Sequence, residues 1–219
     1  MADYADEHFR ASSLSRRNAL KVGAASMAGM AWALTLGHGS ADLVKNLAHL
    51  AHGKPMTATR LIEILKAERS QWNALLEQVG VDRMEIPGVE GTWSVKELVA
   101  HLTWYERAVV DAAGQVMSGG SFVRPGDGAG GIDERNERIA SASRARPAGD
   151  ALAEADEVFG QLLGVIAACP DDLLNDARLL GLPDDIPPWM RVANNSYAHY
   201  REHADSLRAW LARQNATQN

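Results

Sequence analysis

Residues 91–105 read Gly91-Thr92-Trp93-Ser94-Val95-Lys96-Glu97-Leu98-Val99-Ala100-His101-Leu102-Thr103-Trp104-Tyr105. Ser94 followed three residues later by Glu97 is a capping box, in which the serine oxygen and the carboxylate each satisfy a backbone amide that a helix start leaves open. Trp93 is the apolar residue just before the cap. The helix opened there carries Leu98, Leu102, Tyr105 and Val109 on one inward face, with His101 among them. It is expected to run to about Met117, where Gly119-Gly120 stops it.

The same periodicity recurs on either side. A first helix is expected over Ala58–Val79, with Leu61, Ile64, Leu65, Trp72, Leu75, Leu76 and Val79 at three-and-four spacing. A third follows Pro147 over Ala148–Ala168, with Leu152, Ala155, Val158, Phe159, Leu162, Leu163 and Ile166 on one side. The last is expected over residues 189–213, where Leu207 and Trp210 continue the stripe marked by His199 and His203. A shorter helical piece is expected near residues 133–143. No segment reads as a convincing strand, and no internal repeat is present. These patterns predict an all-α four-helix bundle over residues 56–214, with 215–219 as a disordered tail. The Gly-rich connection 119–131 follows no strand and lacks a Lys-Ser/Thr ending, which argues against a phosphate loop. The polar, Pro-rich stretch 170–188 suits a long return connection or a lid over the bundle mouth.

Composition narrows the class. At 219 residues with 46% hydrophobic and 23% charged side chains, the chain can bury one core, and disorder is not the default. The net charge of −6 is unevenly placed: residues 1–55 carry six Lys/Arg against four Asp/Glu, and the remainder 16 against 24. An acidic domain disfavours a nucleic-acid partner, whose phosphates reward a basic face. The single cysteine, Cys169, excludes an intrachain disulfide and reads as a small packing residue at a helix end.

The first 41 residues read as an address. Ser15-Arg16-Arg17-Asn18-Ala19-Leu20-Lys21 resembles the twin-arginine export motif, with Ala19 where phenylalanine is usual. A mildly apolar stretch over 22–36 and the small-residue run Gly37-His38-Gly39-Ser40-Ala41 complete the order of a signal peptide. Fifteen such residues are too short and too soft for stable membrane insertion. Residues 42–55 then form a linker, and the expected location is periplasmic or extracellular. The alternative is a true start at Met56 and a cytoplasmic protein.

Of the histidines, only His101, His199 and His203 follow Met56. His199 and His203 are spaced i, i+4, which places both on one helical face, and His101 lies on the inward face of another helix. Two imidazoles one turn apart can share an ion that a third completes from a facing helix, leaving coordination positions open. Three neutral ligands preserve the ion's charge, so that it can activate a water or bind a substrate thiolate. Imidazole suits several first-row metals, with zinc or nickel the expected divalent ions. The plainer alternative is a set of buried histidines with hydrogen-bond partners. Glu202 is the adjacent carboxylate, but lies about 100° around the helix from His203, which suits support of a ligand better than direct chemistry. Asp133 and Asn136 are one turn apart and can reach the bundle mouth as acid–base groups. Helix capping and surface solvation account for them equally well. Tyr105 and Tyr200 are candidates for the pocket wall, and Trp93 and Trp104 for packing.

Three segments carry a family resemblance: residues 91–102, Ile132-Asp133-Glu134-Arg135-Asn136, and Ser196-Tyr197-Ala198-His199-Tyr200-Arg201-Glu202-His203. With them, the chain from about Met56 to Leu211 resembles the DinB-like bundle superfamily, and most closely its ClbS/DfsB branch. The resemblance implies an up-down-down-up bundle with a histidine triad for a divalent metal. Members include thiol-dependent transferases and isomerases, and a resistance protein that hydrolyses an electrophilic cyclopropane toxin. An export signal departs from the family's cytoplasmic habit and sits poorly with thiol-dependent chemistry. The reading is a metal-dependent hydrolase or transferase acting on a small electrophilic compound, in detoxification or self-protection. The alternative is a non-catalytic bundle that sequesters a small molecule. Members are often dimers, and no exposed apolar stripe here compels a homodimer.

Overall fold

The computed structural model describes residues 55–120, 131–180 and 186–217, all within one compact unit, Asp42–Asn219. The expected export segment, residues 42–54 of the expected linker and most of the Gly-rich connection lie outside the described residues.

Four long helices form the bundle: α1 (Ala58–Val79), α2 (Val95–Met117), α4 (Ala148–Ala168) and α7 (Tyr197–Ala216). Shorter helices α3 (Gly131–Arg144), α5 (Asp171–Asn175) and α6 (Pro188–Asn194) connect them. Side-chain contacts fix the directions. Arg69 of α1 and Arg83, just past its end, meet Tyr200 and Asn215 of α7, so these helices run the same way. Lys96 at the start of α2 reaches the carbonyl of Arg146 just before α4, and Arg107 further along meets Glu154, so α2 and α4 also run together. The start of α1 meets Asp171, just past the end of α4, through Ala58 N–H. The bundle is therefore up-down-down-up.

Each start has a local cause. Ser94 and Glu97 form the expected box: Ser94 N–H donates to Glu97 Oε2 at 2.7 Å, and Glu97 N–H to Ser94 Oγ at 3.4 Å. Thr57 caps α1 through Arg60 N–H. The core is one cluster, in which Leu61, Leu65 and Trp72 of α1 meet Leu98 and Leu102 of α2, Leu162 of α4, and Leu207 and Trp210 of α7.

The structure departs from the sequence reading in four places. First, residues preceding α2 form a two-stranded hairpin, β1 (Pro87–Glu90) with β2 (Trp93–Ser94), where no strand was expected. The two-residue connection Gly91-Thr92 turns tightly because Gly91 adopts φ +54°, a left-handed conformation that costs glycine little. Second, the last expected helix is two. Asn195 and Ser196 turn their side chains onto the carbonyls of Arg191 and Val192, competing with the backbone ladder, and the chain breaks between α6 and α7. Third, α7 continues past the expected end to Ala216, so Asn215 and Ala216 of the expected tail are helical, with Asn215 Oδ1 accepting from Arg83 at 3.0 Å. Fourth, residues 171–180 of the expected loop are largely helical, and Asn175 clasps both backbone groups of Met56 at 2.8 Å. Cys169 is half-buried at the end of α4, where burial and then Asp172 and Asp171 push its thiol up, consistent with a packing role. Among the described residues, no helix is long and apolar enough to cross a membrane.

A polar cluster inside the bundle was absent from the pattern analysis. Arg69 on α1 donates to the Tyr200 hydroxyl and to Asp156, each at 3.0 Å, and lies 3.7 Å from Glu106 Oε2. The Tyr200 hydroxyl donates to Glu106 Oε1, and its ring stacks on Trp72. Glu106 is fully buried. Burial pushes its carboxyl up to about 7, against Arg69 and Tyr200, which pull it down. A carboxyl raised above its ordinary 4.5 holds its proton more tightly in the folded chain. Its contribution to stability is thus complete below about pH 4 and is lost as pH rises through about 7. Urea unfolding across this range should show Glu106→Gln, which stays neutral, losing less stability than the parent as pH rises. Parallel pH profiles for the two proteins would remove Glu106 as the source.

Candidate metal centre

His101 sits in the second turn of α2, placed there by the Ser94 cap. His199 and His203 occupy successive turns of α7, which starts afresh after the Ser196 break. Because α2 and α7 run in opposite directions, the three rings meet. The ring nitrogens His101 Nε2 and His199 Nε2 are 3.1 Å apart, and one nitrogen from each of the three histidines lies within 4.8 Å of the others. Nitrogens bound to one ion at 2.0–2.1 Å, at angles of about 90–110°, stand about 2.9–3.4 Å apart. The first pair already has that spacing, and His203 would have to close in to complete a three-histidine set. Among the described residues, no other group of His, Cys, Asp or Glu side chains is placed to share an ion.

Burial sets the protonation of the rings. His101 is pushed down to about 3 by burial, and then by the charges of His203 and Arg135. His199 is driven well below its ordinary value by burial and its two neighbouring histidines. Both rings are therefore neutral at physiological pH, the form that ligates metal. His203 is half-buried, so its side of the cluster is the one nearest solvent.

Glu90 decides the orientation of His203. Its Oε1 lies 2.6 Å from His203 Nδ1. A carboxylate accepts and does not donate, so Nδ1 carries the proton, and in the neutral ring the lone pair is on Nε2. That Nε2 is buried and has no hydrogen-bond partner among the described residues. A hydrogen bond between His101 and His199 would account for their contact, but would leave His203 Nε2 orphaned. A shared ion satisfies all three nitrogens, and the donor set fits zinc or nickel.

Aromatic rings wall the centre. Tyr105 packs against His101 and His199 with ring centroids 4.9 and 4.8 Å apart, and Trp93 packs on His101 at 5.3 Å. The Tyr105 hydroxyl donates to Asn136 Oδ1 at 3.1 Å and accepts from Arg135 at 2.8 Å. Asn136 thus reaches the centre through Tyr105. Asp133 and Glu202 are exposed, on the first turn of α3 and the outer face of α7. The Tyr200 hydroxyl turns to Glu106 and Arg69 instead.

Glu90 and Arg135 escaped the sequence reading. A hairpin signal was present in Val89-Glu90-Gly91-Thr92-Trp93, with β-prone residues about a glycine, and would have placed Glu90 on a strand. An inward arginine on the polar helix α3 leaves no periodic trace.

A family model for the DinB superfamily matches residues 44–204, well over half of the chain. The chain belongs to the DinB superfamily. Solved structures share this fold. The colibactin self-resistance protein ClbS, solved in complex with a double-stranded DNA, is 18% identical with a TM-score of 0.61, over 72% of this chain and 96% of that one. DfsB, described as a sibling lethal factor precursor, is 14% identical with a TM-score of 0.64, over 73% and 97%. An uncharacterised protein of Escherichia coli UTI89 is 19% identical with a TM-score of 0.62, over 74% and 96%. At these identities the likeness is one of fold. Among curated proteins, none matches the chain.

Within this DinB-superfamily bundle, Glu90 is the test of the centre's geometry. With zinc or nickel added, Glu90→Gln should weaken metal affinity by about 10- to 100-fold in chelator competition, because the amide no longer fixes the tautomer of His203. An unchanged affinity would show that Glu90 does not orient a ligand.

Proposed function

We propose that this DinB-superfamily protein is a metal-dependent hydrolase or transferase acting on a small electrophilic compound, in detoxification or self-protection. One observation carries the reading: a buried, unpartnered His203 Nε2 facing two neutral imidazoles, with its opposite nitrogen held by Glu90. A bound divalent ion, zinc or nickel, supplies Lewis acidity there. The chain's own residues do the rest. His101, His199 and His203 hold the ion without cancelling its charge. Glu90 Oε1 retains the Nδ1 proton of His203. Trp93 and Tyr105 exclude bulk water from the inner side, which strengthens electrostatic interactions at the centre. Arg135 and Asn136 fix the Tyr105 hydroxyl and so the ring that packs on two of the ligands. Asp133 and Glu202, both exposed, take no part in this assignment.

The class of substrate is supported by the fold's company, since ClbS is named for self-resistance to colibactin. The twin-arginine-like segment supports export, and an exported enzyme favours hydrolysis over thiol transfer, because reduced small thiols are scarce outside the cytoplasm.

The full chain, purified without a His-tag, should carry near-stoichiometric metal by elemental analysis, and His199→Ala and His203→Ala should each lose it. Both variants should also lose turnover of electrophilic substrates. A folded parent that takes up no metal when zinc or nickel is offered overturns the reading. Variants that lose turnover but keep ligand binding separate catalysis from sequestration.

A further inference from the structure

Glu106 on α2 is fully buried, and its Oε2 has no hydrogen-bond partner among the described residues, with Arg69 Nη1 at 3.7 Å. A leucine would fill the same place without that cost, so packing alone does not account for a carboxyl. Its other oxygen, Oε1, accepts from the Tyr200 hydroxyl, which in turn accepts from Arg69 at 3.0 Å. Tyr200 follows His199 directly on α7, and Glu106 lies five residues after His101 on α2, about 7.5 Å further along the axis. The same two helices therefore meet twice, ring to ring at His101 and His199 and hydroxyl to carboxyl at Tyr200 and Glu106. One contact lets a helix pivot on its neighbour. Two contacts set apart along the axis fix both the separation and the rotation of α7.

We propose, resting on the metal reading, that Glu106 acts through Tyr200 as a positioning residue that sets the spacing of the histidine centre. His101 Nε2 and His199 Nε2 stand 3.1 Å apart, inside the range of about 2.9–3.4 Å that a shared ion requires. A window about 0.5 Å wide demands a rigid mount. Tyr200 is itself held: its ring stacks on Trp72 with centroids 5.6 Å apart, and the Arg69 guanidinium on its hydroxyl is anchored to Asp156 at 3.0 Å. Removing the hydroxyl leaves the stack and the Arg69–Asp156 pair in place, so the fold is retained while the tie between α2 and α7 is lost. The effect reaches the centre through the setting of α7 and not through a contact with the ion.

Cobalt(II) titration of the full chain, purified without a His-tag, tests this, because the d–d absorption of the ion reads its coordination geometry as well as its affinity. Tyr200→Phe should weaken cobalt binding about tenfold and change the d–d bands. Glu106→Leu should do the same, whereas Glu106→Gln, whose amide oxygen still accepts from the hydroxyl, should bind as the parent does. Leu162→Ala, at a fully buried position on α4, lowers stability without touching the tie and should leave affinity and bands unchanged. Circular dichroism confirms that each variant is folded. If Tyr200→Phe unfolds, Glu106→Leu against Glu106→Gln decides, and equal affinities there overturn the proposal. A parent that binds cobalt beside a folded Tyr200→Phe with the same affinity and bands overturns it and leaves the metal reading standing. Equal losses in Tyr200→Phe and Leu162→Ala overturn it as well, since they reduce the effect to stability. A folded parent that takes up no metal removes the metal reading, and this positioning role with it.

Discussion

The interior of a helical bundle accepts an imidazole or a carboxylate only where it is neutral or met by a partner, because unpaired polar atoms there cost about 1–3 kcal/mol each and unpaired charges far more. This constraint orders the whole domain. Around Glu106, the answer is Arg69 and Tyr200 from two other helices, with Asp156 accepting from Arg69 at the surface end. Around the histidines it is neutrality for two of them, with burial holding His101 and His199 unprotonated, and a partner for the third, with Glu90 accepting a hydrogen bond from His203 Nδ1–H. The two clusters interleave on the same helices. His199 and Tyr200 are consecutive on α7, yet one faces the triad and the other the arginine, so rotation of α7 about its axis would disrupt both.

The small connecting pieces gain their meaning from that arrangement. The β1–β2 hairpin is too short to stabilise anything alone. It is held by α7, with Trp210 Nε1–H and Arg213 donating to the carbonyls of Pro87 and Gly88. In return it supplies Glu90 to His203 and Trp93 to His101, and then delivers the chain into the Ser94 cap. The break at Ser196 performs a matching task at the other end, freeing α7 from the direction of α6 so that His199 turns inward from its first turn.

Much of this was legible in sequence because it follows from periodicity and local chemistry. The capping box at Ser94, the apolar spacing in α1 and α4, and the i, i+4 placement of His199 and His203 are short-range signals, and they located the bundle and the inward faces. Three kinds of feature were not legible. Glu90 acts across 113 residues of chain, so no local pattern connects it to His203. Arg69 and Glu106 are charged side chains at buried positions, where a hydrophobic pattern simply shows a gap. The break at Asn195-Ser196 depends on side chains choosing backbone carbonyls over solvent, a contest that helical periodicity does not register.

The clasp between Glu90 and His203 has a consequence for how the chain matures. The histidines themselves are far apart in sequence, with 98 positions separating His101 from His199. No single helix or hairpin contains all three histidines. A nascent or damaged chain lacking α7 retains His101 as its sole histidine of the three, together with Glu90, and cannot assemble the triad. The centre therefore requires long-range contacts to have closed, and its integrity reports on the completeness of the fold. Any ligand that needs all three imidazoles acts as a thermodynamic proofreader of the finished protein, drawing population from incomplete states toward the native one.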